Sequence, residues 1–364
     1  MMLLGWLTFF GLCALASRLT AGRAMPLRER PLWWFTYIWL ALILTGHALS
    51  LVTQLNNPYL YCGVSLALLA GSIWAFNRLA PVNLEPRPVV PHFNLDFAAV
   101  DPRYAKYWIY GLGALLLLAA ACSLFLVLHN QAGNADSVSY RLPRAFWYTS
   151  HGSLLHPFDS YDRRVTYYPL NGTLLYVPLV VFGFPGTFHN LPTFFAWIML
   201  ALTTFCMARA MGAGRVWALL ATALVALTPN ILVQAAATND EILAGGALLL
   251  GLYFMFRWLM TDQKIYLLLA ATIAGISIGT KLHIVFYLPV IAGMAVYGIA
   301  HAPTAARALW SRIGWRTALL CIGIGLAMIV PFLIYNKVSA GRFYFTEDFA
   351  AGFFNAEWKL HVAL

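Results

Sequence analysis

What most constrains this chain is the recurrence of apolar runs close to twenty residues long. The hydrocarbon core of a bilayer takes about 20 residues of helix, and ten segments approach that length: 2–17, 32–53, 58–76, 107–128, 188–208, 215–236, 242–260, 265–280, 283–300 and 317–336. With a mean hydropathy of +0.73 and 10% charged residues, the chain lies far outside the soluble range, where about a quarter of residues are charged. These features predict an all-α polytopic membrane protein with about ten transmembrane helices. The last third of the pattern needs a break at Thr280–Lys281, where two runs are nearly continuous.

The opening MMLLGWLTFFGLCALASRLTAG has the length of a secretory signal but not its order. A signal carries positive charge before its apolar core, whereas the first charge here, Arg18, follows the core. It reads as a retained first span.

The net charge of +10 does not indicate nucleic acid. The basic residues stand singly between apolar runs, not in a patch interleaved with exposed aromatics. Cys13, Cys62, Cys122, Cys206 and Cys321 all fall inside apolar segments, with no CxxC or Cys/His spacing. Neither a disulfide framework nor a zinc site is indicated.

Positive charge in short loops sets orientation. Arg18, Arg23, Arg28 and Arg30 follow the first span, and Arg78, Arg87, Arg103 and Lys106 lie between the third and fourth. Arg209 with Arg215, Arg257 with Lys264, and Arg307, Arg312 and Arg316 mark the later cytoplasmic loops. The apolar run YYPLNGTLLYVPLVVFGFPG, 167–186, would reverse this pattern if it crossed. Its three prolines and three glycines suit a short interfacial or re-entrant piece, so it belongs to a long outer loop, 129–187. The outward side then collects Asp136, Asp159, Asp162, Asp240, Glu241, Glu347, Asp348 and Glu357, eight of the 13 acids.

That loop carries the candidate chemistry. In DSVSYRLPRAFW the residues Tyr140, Arg144 and Trp147 recur with helical spacing. Asp136 at its start is either a helix cap or a carboxylate at a watery rim, able to take a proton from a hydroxyl. Arg141, Arg144, Arg163 and Arg164 run against the topological trend and need partners. Asp159 and Asp162 are one source, and an anionic headgroup or phosphate, which guanidinium binds with two parallel hydrogen bonds, is the other. TNDEILAGG places Asp240 and Glu241 at the start of a span, where the helix dipole favours an acid. Neighbours on a helix point about 100° apart, so only one of the two is expected to face a cavity. Lys281 sits between apolar runs in GTKLHIVFYLP, either snorkelling to the interface or serving as a point charge for a phosphate. His283 beside it reads as a packed histidine, and no HxxxH or HExxH spacing supports a metal.

The order of these features resembles the membrane glycosyltransferases of the GT-C fold, among them the bacterial relatives of protein O-mannosyltransferases and of the lipid A aminoarabinose transferase. The resemblance rests on a span, an outer loop opening at Asp136, then YRLPRAFW, then HGSLLHPFDSYDRRVTYYPLNGTLLYVP, then ATNDEILA, then GTKLHIVFYLP, over residues 107–300. It implies a general base at Asp136 and a site-shaping, substrate-binding or metal-binding role for Asp240. It also implies a lysine near the lipid phosphate at Lys281. Tyr168 stands where the family often has the lysine of a Lys-Pro-Pro element, so Arg163 or Arg164 is expected to take over phosphate contact.

The organisation this implies is a three-helix membrane extension over 1–106, a catalytic core over 107–336 and an outward segment over 337–364. Its activity would be inverting transfer of a sugar from a polyprenyl-phosphate donor to a hydroxyl on a glycan, lipid or protein. The enzyme would sit among the lipids of the inner (cell) membrane, with its site facing the periplasm or exterior. No cofactor is required by the sequence, and a divalent metal between Asp136 and Asp240 is left open. A transporter or flippase of lipid-linked glycans, a surface polysaccharide polymerase and a structural membrane subunit are the competing readings.

Overall fold

The computed structural model describes residues 1–21, 26–80, 100–155, 164–291, 293, 303–341 and 343. Among these residues every regular element is helical. The first three long helices are α1 (Met2–Thr20), α2 (Arg30–Leu51) and α3 (Pro58–Leu79). Next come α4 (Pro102–His129), the short α5 (Leu142–His151), α6 (Arg164–Tyr167) and α7 (Val177–Val181), and then α8 (Leu191–Ala210). The chain continues through α9 (Arg215–Ala226), α10 (Pro229–Ala235), α11 (Asp240–Thr261), α12 (Lys264–Ile278) and α13 (Pro303–Ala340), the last broken by a kink at Gly314, where φ is 68.

Proline at the first helical position, with a capping side chain before it, recurs as a start signal. The Asn57 side chain accepts from the N–H groups of Tyr59 (3.1 Å) and Leu60 (3.2 Å) ahead of α3. Asp101 accepts from Arg103 N–H at 2.8 Å ahead of α4.

Seven helices among the described residues are long and apolar enough to cross a membrane, or eight if α9 and α10 count as one bent span. The expected straight span 215–236 is broken by 72°. Pro229 disfavours helical backbone at the residue before it, and Thr228 is accordingly extended (φ −53, ψ 123). The expected span 265–280 is the 15-residue α12, and within 283–300 residues 292 and 294–300 lie outside the described residues. The break at Thr280–Lys281 is present, with Lys281 extended between α12 and a 3-10 turn at Leu282–Tyr287.

Burial separates centre from periphery. In α2 and α11, 56% of the most apolar window is buried, against 17% in α4 and 11% in the Ser311–Ser339 stretch of α13. The peripheral helices expose large apolar side chains such as Leu117 and Leu118, as expected of surfaces facing lipid. Between helices in lipid, close packing of small residues replaces a hydrophobic driving force. A Cβ on Gly275 of α12 would lie 2.6 Å from the carbonyl oxygen of Gly325 on α13, so these two backbones touch only because Gly275 has no side chain.

The N-terminal helices share this core through α2. Trp33 is buried with its ring edge-on to those of Phe254 (6.5 Å) and Tyr266 (5.4 Å). Buried Glu29, just before α2, pairs with Arg257 of α11 at 3.0 Å and accepts from the Tyr266 hydroxyl of α12 at 2.8 Å.

The 167–186 run forms only short helical pieces, as its prolines predict, but it is not a surface strap. Leu170, Asn171, Leu174 and Tyr176 are buried. Asn171 ties three helices together: its side-chain amide donates to Met328 O (2.9 Å) and its backbone N–H to Gly279 O (2.9 Å). Its own carbonyl accepts from the Trp39 indole at 3.4 Å. Polar backbone inside the bundle is thus satisfied by neighbouring helices.

Candidate functional site

Where α4 ends, α11 begins and α12 ends, the chain gathers acids and cations around one guanidinium. The segment that delivers it is helical from residue 135 to residue 151, as its spacing predicts, but its first part is wound wide. Residues Ser137–Arg141 form a π turn, and Pro143, which has no N–H to donate, follows immediately. An α-helix would set residues five apart on directions about 140° apart. The wider winding narrows that angle, so Asp136 and Arg141 meet, with Oδ2 and Nη2 3.2 Å apart.

Asp136 is not the cap of this helix. That role falls to Asn134, whose side-chain oxygen accepts from Ser137 N–H at 2.9 Å, while Asp136 already has helical backbone angles. Its side chain remains 38% exposed, a carboxylate at the rim of the cluster.

Arg141, with a side chain 1% exposed, is the hub. Its Nε lies 2.8 Å from Asp240 Oδ2, and its Nη2 lies 3.5 Å from Glu241 Oε2. Its Nη1 donates to the Thr238 carbonyl at 2.7 Å and Nη2 to Asn239 Oδ1 at 3.4 Å. Asn239 also caps α11, accepting from Glu241 N–H. Lys281 donates to Glu241 Oε1. Both Asp240 and Glu241 therefore face the cluster, against the expectation that only one of them would. The planar fork of a guanidinium is broad enough to meet neighbours that diverge around a helix, and the glutamate arm is longer by one methylene.

The floor of the site comes from the buried 167–186 run. A Cβ on Gly172 would sit 2.9 Å from Asp240 Oδ1 and 3.0 Å from Thr280 Cγ2. Arg144, also buried, donates to the carbonyls of Tyr168 (2.8 Å) and Pro169 (3.3 Å) and fixes that run against α5. The Tyr168 ring packs edge-on to Tyr140 at 5.2 Å.

Arg163, Asp159 and Asp162 lie outside the described residues, as do the Arg164 side chain, Arg342, Glu347, Asp348 and Glu357. Lys337 donates to the carbonyl of Gly341 at 2.8 Å and so closes its own helix end.

The local field is strong. Burial opposes the charge on Arg141, but the Asp240 carboxylate beside it outweighs that and holds the guanidinium above the ordinary arginine range. Burial, then the Asp240 charge, pushes the phenols of Tyr140 and Tyr176 well above their usual range. Both therefore stay neutral hydrogen-bonding groups.

Among the described residues no group of three or more His, Cys, Asp or Glu side chains is placed to hold an ion. Between Asp136 and Asp240 stands Arg141, a cation of the chain's own.

Cavities open between the described helices. An apolar one of 420 Å³ lies between α1, α2, α8 and the 175–184 stretch, lined by Trp6, Phe35, Trp39, Leu179 and Phe195 among others. A second, of 490 Å³, lies between the end of α4, residues 130–134 and α10, where Asn130, Gln131, Asn134 and Asn190 add polar groups.

Thr238, Asn239, Asn171 and Gly172 are site residues that sequence reasoning passed over. The contiguous polar TNDE ahead of an apolar span was the available signal for the first two. Comparison with known protein families, characterised proteins and solved structures finds no match to this chain.

Proposed function

We propose that this chain is a multi-pass glycosyltransferase of the cell membrane, moving a sugar from a polyprenyl-phosphate donor to an acceptor hydroxyl on the outer face. The observation that carries the reading is the convergence of rim carboxylate Asp136, buried Asp240 and two cations, Arg141 and Lys281, at one end of an apolar bundle. The positive-inside pattern puts that end outside.

In this mechanism Asp136 accepts the proton of the acceptor hydroxyl as its oxygen attacks the anomeric carbon. The bond from that carbon to the phosphate oxygen breaks, and its electron pair leaves with the polyprenyl phosphate. Lys281 and Arg141 stabilise the charge growing there. One base and one displacement give inversion, unlike the double displacement of two-carboxylate retaining sites. Asp240 holds Arg141 in place and the apolar cavity offers room for part of a lipid chain.

A transporter of lipid-linked glycans gathers its ions near mid-membrane, on paired broken helices. Here Asp240 opens α11 and Lys281 follows the end of α12, which favours chemistry at a rim. The test is transfer of labelled sugar from a polyprenyl-phosphate donor by purified protein in liposomes. Product formation supports the reading, and movement of donor across the bilayer without product would replace it with the transporter.

A further inference from the structure

Three carboxylates meet two cations in the cluster, and one of the carboxylates bridges both cations. Glu241 Oε1 accepts from Lys281 Nζ, while Oε2 lies 3.5 Å from Arg141 Nη2. Its side chain is 40% exposed, that of Lys281 24% and that of Arg141 1%. Glu241 therefore lies between the two positive groups as their most exposed partner.

The other two acids hold Arg141 from different sides: Asp240 at Nε, buried against Gly172, and Asp136 at Nη2 from the rim. Lys281 pairs with Glu241. An approaching phosphate meets a cluster in which the position best placed between Arg141 and Lys281 is already taken by a carboxylate. A phosphate monoester or diester offers the same kind of acceptor oxygens to both donors.

We propose that Glu241 is an internal counter-anion that the lipid phosphate displaces, so that Arg141 and Lys281 exchange a carboxylate for the donor phosphate. This rests on reading the site as one for a lipid-linked phosphate. It assigns Glu241 a role distinct from those of its neighbours: Asp136 takes a proton, Asp240 positions Arg141, and Glu241 sets how tightly the anion binds. The exchange also accounts for the two adjacent acids. One anchors the hub from a buried position; the other, one residue on and more exposed, is able to swing away.

Displacement lowers apparent affinity by the fraction of molecules in which Glu241 has withdrawn. Removing its charge while keeping its shape should therefore tighten phosphate binding about tenfold, if it withdraws in about a tenth of molecules. The probe is farnesyl phosphate, with farnesol as its neutral twin, added to the full chain in nanodiscs. Glu241→Gln is expected to bind farnesyl phosphate about tenfold tighter than wild type with farnesol binding unchanged, and Lys281→Met is expected to erase that gain.

A second measurement needs no variant. A water-soluble carbodiimide should join Glu241 to Lys281 through an amide bond in the wild-type protein, seen as a cross-linked peptide by mass spectrometry. Farnesyl phosphate should suppress that product and farnesol should not. Suppression by inorganic phosphate at equal concentration would support displacement by the headgroup alone. A cross-link that persists at saturating farnesyl phosphate, a Glu241→Gln protein that binds it no tighter, or a wild type that does not bind it at all would overturn the proposal. Suppression of the cross-link by a protein that transfers no sugar would retain the exchange and reject only the enzymatic reading.

Discussion

Arg141 and Asp240 form an ion pair of 2.8 Å in which the arginine side chain is 1% exposed and the aspartate 12%. The pair joins the loop after α4 to the first residue of α11. Removing one member of a buried pair strands the other and costs about 3–5 kcal/mol. Asp240→Ala should therefore lower stability by about that much in thermal or denaturant unfolding of the detergent-solubilised protein. The double variant Asp240→Ala with Arg141→Met should recover part of the loss, because no unpaired charge is left buried. A single variant as stable as wild type would mean that the pair is relaxed or hydrated in solution.

Gly172 supplies a different kind of constraint. Its φ of −67 suits any residue, so Gly172→Ala introduces no backbone strain. What it introduces is a methyl 2.9 Å from Asp240 Oδ1 and 3.0 Å from Thr280 Cγ2. Displacing Asp240 displaces Arg141 with it, and a misplacement near 1 Å costs on the order of 100-fold in rate. Sugar transfer should fall by that order while the melting temperature falls less than in Asp240→Ala. Unchanged transfer would show that the floor at Gly172 has room to give.

At the other end of α11, Glu29 and Arg257 make a second buried pair at 3.0 Å, joined by the Tyr266 hydroxyl. Glu29→Ala should cost about 3–5 kcal/mol of stability, measured by unfolding. Phosphate binding at the distant cluster should persist in the surviving folded fraction. The opposite result, loss of binding with stability intact, would make Glu29 part of the site and not an anchor for α2.

Arg144 divides its guanidinium between two carbonyls, those of Tyr168 and Pro169. An ammonium cannot reproduce that fork. Arg144→Lys should cost about 1–3 kcal/mol by leaving a buried carbonyl unsatisfied, and limited proteolysis should show earlier cleavage in the 164–176 region. Loss of phosphate affinity with no change in stability or cleavage would instead make Arg144 a ligand-binding residue.

Much of this architecture was legible in the chain because bilayer thickness and helical rise fix what an apolar run of about 20 residues becomes. The same logic kept 167–186 from being a span, since its prolines and glycines are visible as letters. Its burial was not legible, because Asn171 is satisfied by Gly279 and Met328, over a hundred positions away. Asp136, Asp240, Glu241, Arg141 and Lys281 were each visible as polar exceptions at the edges of apolar runs. The Asp136–Arg141 pairing was hidden because it depends on a π turn, and spacing rules assume 3.6 residues per turn; the Arg141–Asp240 and Lys281–Glu241 pairs were hidden because they join segments far apart in the chain. Arg144 looked like its neighbour Arg141 in sequence; only the fold assigns one to carboxylates and the other to carbonyls. The bend at Pro229 could have been read from the Thr-Pro step, but hydropathy alone smooths across it.

The central claim is that Asp136 removes the acceptor proton during sugar transfer, and Asp136→Asn tests it most directly. The substitution keeps size and most hydrogen bonding while removing the base. The measurement is transfer of labelled sugar from a polyprenyl-phosphate donor in liposomes, with donor binding determined on the same preparation. The account predicts that Asp136→Asn binds donor as the wild type does and loses transfer by about 100-fold or more. Transfer at the wild-type rate by Asp136→Asn would contradict it.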